Sequence, residues 1–139
     1  MAPSKPKRER VRVWAKALTP KDKADIATAC ERLISEVLKP KFLPEIRLTQ
    51  FNYPVDIFGK WRGSKYSFIV RLRSGFPENA GEEFDTGFAR FDHAPGGAEH
   101  RFDVMWHRHT GQWWPVYRSV TLEEALHAIE TDGVLRPPV

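Results

Sequence analysis

The chain has 139 residues and a formal net charge of +4, with 41% hydrophobic and 29% charged positions, which suits one compact domain. No apolar run approaches the ~20 residues that cross a bilayer, and no apolar stretch follows the basic N-terminus, so we expect neither a membrane span nor a secretory signal. Because a single cysteine cannot form an internal disulfide, we expect a cytoplasmic protein of bacterial type.

Positive charge is concentrated at the N-terminus. Residues 1–16 hold six basic residues and one acidic residue, a net charge of +5, whereas the other 123 residues carry 16 basic and 17 acidic groups. The basic residues of the first 13 positions are Lys5, Lys7, Arg8, Arg10 and Arg12. We predict a disordered basic arm at 1–13, a single α+β domain at 14–133 and a short C-terminal tail at 134–139. Such an arm is either a solubilising terminus or a segment that binds polyanions through counterion release.

Thr19 and Pro20 predict the start of a helix, because threonine caps free backbone N–H groups and proline has no N–H to satisfy at the first helical position. Apolar residues then recur at 3.6-residue spacing and form one stripe that ends at Leu38. Cys30 lies within this stripe, where a thiol stays protonated and inert. Pro40 is expected to end the helix.

From Ile46 the apolar period changes from 3.6 to 2. One side of a first strand is formed by Phe51, Tyr53, Val55, Ile57 and Trp61, and one side of a second by Tyr66, Phe68, Val70 and Leu72. Two alternating runs around the turn at Arg62-Gly63 predict a β-hairpin with one solvent-facing side. Pro54 and Gly59 indicate an edge position or a bulge in its first strand.

Three further strands and a helix follow. The strands are predicted around Phe84–Asp92, Phe102–His107 and Trp113–Tyr117. Short turns between successive strands favour an antiparallel meander. Thr121 and Glu124 form a capping box at the start of a C-terminal helix, and Gly133 is expected to end it in the left-handed conformation. The predicted fold class is α+β: an antiparallel meander of about five strands flanked by an N-terminal and a C-terminal amphipathic helix.

Several short segments carry a resemblance to a known family. They are Leu43-Pro44-Glu45-Ile46-Arg47, Trp61-Arg62, Met105-Trp106-His107-Arg108 with Trp113-Trp114 and Tyr117, and Thr121-Leu122-Glu123-Glu124. With these segments the chain resembles small bacterial proteins known only as a domain of unknown function, although it lacks the proline-rich run that they tend to carry before the Ile-Arg pair. The resemblance implies the layout of the fold and brings no activity with it.

Four of the five histidines lie between positions 93 and 109. His107 and His109 would project from one side of a strand, with Asp103 on the same side, and these three are weak candidates for metal ligands. A zinc-type site needs three or four ligands and groups that orient them, and the Thr110-Gly111 turn already involves His109. Surface histidines are therefore the favoured interpretation, and we expect no metal and no cofactor.

Acidic and basic residues face each other around the predicted third strand. They are Glu82, Glu83 and Asp85 on one side and Arg71, Arg73 and Arg90 on the other. Together with His107 or His109 they would suit a small hydrolase or ribonuclease, which needs a base, an acid and a phosphate clamp. The same residues equally form cross-strand ion pairs, which is the interpretation we favour. The sequence has no nucleophile elbow, phosphate-cradling loop or dinucleotide fingerprint, and we assign no catalytic residue.

Basic and aromatic side chains on the strands form the leading candidate binding site. The basic candidates on the outer side of the hairpin are Lys60, Arg62, Lys65, Arg71 and Arg73, and the candidate aromatic contacts are Trp61 and Trp113. A platform for single-stranded nucleic acid needs rings beside basic groups on the solvent-facing side. We therefore favour a non-enzymatic domain that binds nucleic acid through the basic arm and the outer hairpin face. The alternative is a protein–protein interaction or structural module that uses its aromatic-rich strands.

Overall fold

The computed structural model describes residues 17–43, 51–94 and 99–138. The predicted basic arm, residues 1–13, lies outside the described residues. The elements in chain order are helix α1 (Pro20–Leu33), a π-helical segment (Ile34–Leu38), helix α2 (Lys39–Phe42), strands β1 (Tyr53–Arg62), β2 (Lys65–Arg73), β3 (Glu83–Ala94), β4 (Arg101–His107) and β5 (Trp113–Val120), and helix α3 (Leu122–Thr131), with 3-10 turns at Pro77–Asn79 and Gly133–Leu135. The predicted α+β class is confirmed.

The N-terminal helix begins where the sequence predicts but does not end at Pro40. The Thr19 hydroxyl accepts a hydrogen bond from the Asp22 N–H, and the Asp22 carboxylate accepts one from the Thr19 N–H, so the first turn is closed by a capping box. Further on, the Lys39 N–H donates to the carbonyl of Ile34, five residues back. This wider π-helical turn makes room for the proline ring, which would collide with the preceding turn of a regular α-helix, and the chain stays helical to Phe42.

The five strands form one antiparallel sheet in the order β1-β2-β3-β4-β5, which confirms the predicted meander. Gly63 turns the chain between β1 and β2 with φ 61°, a left-handed conformation that glycine adopts without strain. β1 lies at an edge, and its register shifts between Pro54 and Asp56, so it has both the edge position and the bulge that Pro54 indicated.

The bulge in β1 overturns part of the predicted side-chain pattern. Ile57 pairs with Val70 on the side of the sheet that faces the core, but one bulge earlier Tyr53 pairs with Arg73, whose side chain belongs to the other side. Tyr53 is therefore on the opposite side of the sheet from Ile57, although the two share sequence parity. A similar irregularity between β2 and β3 lets Phe88 and Phe91 both be buried despite their odd spacing.

The core lies between one side of the sheet and the helices. Its strand contribution is largely aromatic, and its helical contribution is aliphatic: Tyr66, Phe68, Phe91 and Phe102 from the strands, with Ile26, Leu33, Ile34, Leu38, Ala125 and Ile129 from the helices. Cys30 is completely buried in this core, and burial raises the pKa of its thiol to about 12, as expected of an inert cysteine. Helices α1 and α3 pack on the same side of the sheet, so no described helix covers the other side.

The C-terminal helix begins with the predicted capping box of Thr121 and Glu124. The expectation for Gly133 is wrong: the helix ends at Asp132 in an extended conformation, and Gly133 starts a 3-10 turn, capped by the Asp132 carboxylate. Beyond it, Leu135 and Pro137 are buried, so part of the predicted tail packs against the rest of the molecule. Within the described residues, no helix is long and apolar enough to cross a membrane.

Candidate nucleic-acid interface

The side of the sheet that the described helices leave open has a depression of about 200 Å³ over β1, β2 and β3, bounded by β5. We call it the hairpin groove, and its lining residues are Lys60, Arg62, Lys65, Ser67, Ile69, Gly87, Arg90 and Trp113. Four of these eight residues are basic, and none is acidic. Strand alternation explains the arrangement: in β2, Lys65, Ser67 and Ile69 alternate with the buried Tyr66 and Phe68, so they point away from the core.

An indole ring closes one end of the hairpin groove. Trp113 stacks on the imidazole of its cross-strand partner His107, with ring centroids 4.6 Å apart and 21° between the planes. The guanidinium of Arg90 lies 4.4 Å from the indole centroid. Gly87 permits this packing, because a Cβ at that position would lie 3.3 Å from the indole ring. The π surface of Trp113 is thus already in contact with His107 and Arg90, and the ring acts as a support for Arg90.

Arg90 is fixed from a second direction by Asp92. Its Nε and one terminal nitrogen donate to the two carboxylate oxygens of Asp92, at 2.6 and 2.9 Å, and both side chains are mostly buried. By contrast, Lys60, Arg62 and Lys65 are exposed and have no ion-pair partner among the residues that the structure describes. The free positive charge of the hairpin groove therefore comes from these three side chains, with Arg90 as a pre-positioned donor at the end.

Two basic candidates from the sequence are neutralised instead. Arg71 pairs with Asp85 at 2.9 Å and Arg73 with Glu83 at 2.7 Å, each across the β2–β3 ladder. These hydrogen bonds raise the pKa of both guanidinium groups. Neither arginine lines the hairpin groove. The structure thus has cross-strand ion pairs, the interpretation that we favour, and two of the three carboxylates of the hydrolase interpretation, Glu83 and Asp85, are paired with arginines.

A second depression lies at the rim of the sheet, below the β4–β5 turn. This rim pocket has a volume of about 320 Å³, and its basic lining residues are His107, Arg108, His109 and Arg136. The guanidinium of Arg108 lies 5.7 Å from the ring of Trp106 and 5.0 Å from that of Trp114. Its Nε atom is buried and has no hydrogen-bond partner in the part of the chain that the structure describes. The C-terminal segment supplies one wall through Val134, Arg136 and Pro138.

The three weak metal candidates have other partners or face solvent. His107 hydrogen-bonds through Nδ1 to the Gly87 carbonyl at 2.9 Å, and His109 is exposed in the turn. Asp103 accepts a hydrogen bond from the Ser119 N–H, which stabilises the β5 bulge where Ser119 has a positive φ of 53°. Among the described residues, no group of three or more His, Cys, Asp or Glu side chains is arranged to hold a metal ion.

The other two clustered histidines join the sheet to the N-terminal helix. His93 Nε2 lies 2.9 Å from His100 Nδ1, and His100 Nε2 lies 3.0 Å from the Asp22 carboxylate. Burial, followed by the nearby His100, lowers the pKa of His93. Hydrogen bonds from Thr19, with a smaller contribution from His100, lower the pKa of Asp22 to about 2. The chain of contacts ends at the capping box and so connects the β3–β4 end of the sheet to the start of α1.

A family model matches residues 18–136, a span that includes every described element of the fold. The family is described as Domain of unknown function (DUF3024). The chain belongs to this family. Neither the curated proteins nor the solved structures give a significant match. The predicted resemblance to a domain of unknown function is confirmed, and because the family description names no activity, function has to be inferred from the side chains of this DUF3024 domain.

Of the two candidate aromatic contacts, only Trp113 lies at the hairpin groove of this DUF3024 domain. Trp61 pairs with the buried Tyr66, packs edge-on against it, and donates from its indole N–H to the Lys23 carbonyl of α1. It therefore belongs to the side of the sheet that the helices cover, and we leave it out of the proposed interface. The bulge at Pro54 does not change the side of the sheet that Trp61 faces, because Trp61 lies further along the strand than the bulge.

Sequence reasoning missed three basic residues of these two depressions. The sequence places Arg90 only in the charged set of the hydrolase interpretation and not in the binding face, although it alternates with the buried Ala89 and Phe91 and so points to the open side. Arg108 follows the last residue of β4, and Arg136 lies in the predicted tail. The positions of Arg108 and Arg136 beside one pocket depend on where the C-terminal segment packs, which no local pattern encodes.

Proposed function

We propose that this DUF3024 domain is a non-enzymatic, cytoplasmic nucleic-acid-binding domain that holds the phosphate backbone in the hairpin groove. The observation that carries the proposal is the lining of the groove, in which the described residues include three exposed basic side chains without an ion-pair partner, Lys60, Arg62 and Lys65, and no acidic one. This contrasts with the balance of the last 123 residues, in which acidic groups outnumber basic ones by one. Positive charge is therefore segregated onto one open surface of a nearly neutral domain, as phosphate binding requires.

The contacts within the groove support phosphate as the preferred ligand chemistry. Lys60, Arg62 and Lys65 are free to release counterions when a phosphate approaches. Arg90 is held in one position by Asp92 and Trp113, so it loses little side-chain entropy on binding. Ser67 adds a hydroxyl donor at the floor. Phosphate contacts of this kind give affinity without reading sequence.

We further propose that the basic arm, residues 1–13, adds non-specific affinity. It lies outside the described residues, and the proposal rests on its sequence alone. Its five basic side chains are Lys5, Lys7, Arg8, Arg10 and Arg12. A short run of this charge is attracted to the phosphate backbone over a distance set by the ionic strength.

The test is a fluorescence-anisotropy titration of the full chain with labelled oligo(dT) and oligo(U) of about 12 nucleotides. The triple variant Lys60→Gln/Arg62→Gln/Lys65→Gln removes the free charge of the groove. We expect it to weaken binding at least tenfold at ~50 mM salt and to reduce the slope of log K against log salt by about 2, because each phosphate contact on a single strand contributes ~0.7.

A matched control removes the same number of charges from the helix-covered side. The variant Lys21→Gln/Arg32→Gln/Lys41→Gln changes three exposed residues of α1 and α2 that lie outside the groove. It should keep nearly the wild-type affinity. Equal losses in the two triple variants would mean that only net charge matters, and a wild-type chain that binds neither oligonucleotide at low salt would refute the proposed function.

The contribution of the arm is measured separately. In the full chain, glutamine is substituted at the five basic positions of residues 1–13. We expect weaker binding for every sequence and a smaller salt dependence, while the effect of the groove variant persists in this background. An arm variant that binds like wild type would remove the arm from the proposal and leave the groove in place.

One observation favours the alternative of a protein–protein interaction module. Trp114 and Tyr117 on the edge strand β5 are 47% and 39% exposed. Exposed Trp and Tyr side chains are common anchors in protein interfaces. Size-exclusion chromatography with light scattering tests self-association through this strand, with Trp114→Ala as the variant. A monomer at all concentrations, unchanged by the substitution, would count against an interface between copies.

A further inference from the structure

Arg108 in the rim pocket has a buried donor that is not hydrogen-bonded to any described residue. Its Nε atom is buried without a hydrogen-bond partner among the described residues, although buried donors in native proteins are nearly always paired. Leaving such a donor unpaired is costly, and the cost is greater for a charged group. Because Arg108 also lines an open pocket of about 320 Å³, a ligand that enters the pocket and shifts this side chain can supply the missing acceptor.

The other lining groups define the chemistry of that ligand. Arg136, His107 and His109 line the same pocket, and no aspartate or glutamate among the described residues lines it. Trp106 and Trp114 hold the Arg108 guanidinium in place, which leaves its planar fork suited to an oxyanion with two adjacent oxygens. A phosphate group has this geometry and charge.

The rim pocket and the hairpin groove are neighbours. Gly87 lines both depressions; Trp113 lines the groove, and its stacking partner His107 lines the rim pocket. The stacked pair thus contributes one ring to each of two adjoining basic depressions.

We propose that the rim pocket is a second phosphate-binding subsite, and that the ligand is a single-stranded nucleic acid that runs from the hairpin groove across the His107–Trp113 pair into the rim pocket. The proposal rests on the proposed function and names its substrate class. A flexible single strand can bend to enter two adjoining recesses, and sites that track a single-stranded backbone commonly cover about 4 or more nucleotides. A duplex presents a rigid convex surface that cannot fill both recesses together.

The experiment compares labelled oligo(dT) of increasing length with a duplex of matched length, by anisotropy, on the full chain. The rim variant is Arg136→Gln, an exposed residue whose replacement should not disturb folding. Its matched control is Arg118→Gln, an exposed arginine on β5 that lines neither depression. A second rim variant, Arg108→Lys, keeps the charge but removes the planar fork.

For wild type we expect affinity to rise with length until the strand spans both depressions, and to exceed that for the duplex. Arg136→Gln should weaken the long strand by about threefold to tenfold, lower the salt slope by about 0.7, and leave a dinucleotide unaffected. Arg108→Lys should weaken the long strand similarly. In NMR spectra of the wild-type chain, the Arg108 Nε–H resonance should shift when the long strand is added.

Two results would overturn this inference while the proposed function stands. The first is an Arg136→Gln variant that matches Arg118→Gln at every length, together with an Arg108 Nε–H resonance that stays in place while resonances of the hairpin groove move. The second is a duplex that binds as tightly as the single strand. A wild-type chain that binds no oligonucleotide would instead overturn the proposed function and this inference with it.

Discussion

The hydroxyl of Tyr66 offers a sharp test of how the core is packed. Tyr66 is 1% exposed, and its hydroxyl oxygen has no hydrogen-bond partner within residues 17–43, 51–94 and 99–138. The ring lies against the backbone of Gly59 on the neighbouring strand, where a Cβ would collide with the hydroxyl group and with the ring carbon beside it. Because an unpaired buried hydroxyl costs about 1–3 kcal/mol, replacing it with hydrogen should be favourable.

We expect Tyr66→Phe to raise the free energy of unfolding by about 1 kcal/mol. The removed desolvation cost is larger than this, but the small void left beside Gly59 loses some dispersion contacts. For a chain of this length, ~1 kcal/mol corresponds to an increase of about 3–5 °C in the thermal midpoint. Burial also raises the pKa of Tyr66 well above 10.0. The wild type should therefore lose stability as the pH rises above ~10, where the unfolded chain ionises, and Tyr66→Phe should lack this component.

The measurement is urea unfolding at neutral and alkaline pH, with Tyr117→Phe as the matched control. The Tyr117 hydroxyl donates to the Asp132 carboxylate at 2.7 Å, so its removal should slightly lower the free energy of unfolding. Opposite signs for the two Tyr→Phe substitutions are the expected result. If Tyr66→Phe destabilises as much as Tyr117→Phe, the hydroxyl of Tyr66 has a partner and the reasoning about this part of the core is wrong.

Three further predictions concern the open side, the buried thiol and the histidine pair. Gly87→Val should displace the indole of Trp113, destabilise the fold by about 1–3 kcal/mol in urea unfolding, and alter the tryptophan fluorescence; unchanged spectra would contradict the packing. Burial raises the pKa of the Cys30 thiol from 9.0 to about 12, so stability should decline from pH 9 upward, less steeply in Cys30→Ala, and native Cys30 should resist thiol reagents. Burial lowers the pKa of His93, so the neutral imidazole's contribution to the free energy of unfolding is present above about pH 6.5 and is lost as the pH falls. His93→Gln should therefore flatten the loss of stability between about pH 7 and 5. An unchanged profile of stability against pH would refute this.

Local patterns were sufficient for the elements and their order. The two capping boxes at Thr19 and Thr121, and the change of period after the first helix, each depend on residues a few positions apart, and the structure has both helices and the strands there. Local patterns failed where a neighbouring element changes the geometry. Pro40 remains helical because a π-turn absorbs it, and Tyr53 changes sides because of a bulge.

The candidate interface depended more strongly on tertiary structure. Alternation along β2 placed Lys65 on the open side, but it could not separate the free Lys65 from Arg71 and Arg73, which share its side of the strand. Whether a basic side chain is free or paired depends on the register with β3. The rim pocket could not be predicted at all, because Arg108 and Arg136 are distant in sequence and are brought to one pocket by the packing of the C-terminal segment.

The amino-acid sequence alone determined the α+β class, the antiparallel meander and the core-facing side of β2, since these follow from periodicity and capping, which act over a few residues of chain. Only the tertiary structure decided which positive charges remain unpaired and where they converge. The physical reason is that an ion pair or a depression depends on distances of a few ångströms between different strands, and these distances are set by register shifts and bulges that the hydrophobic pattern leaves open.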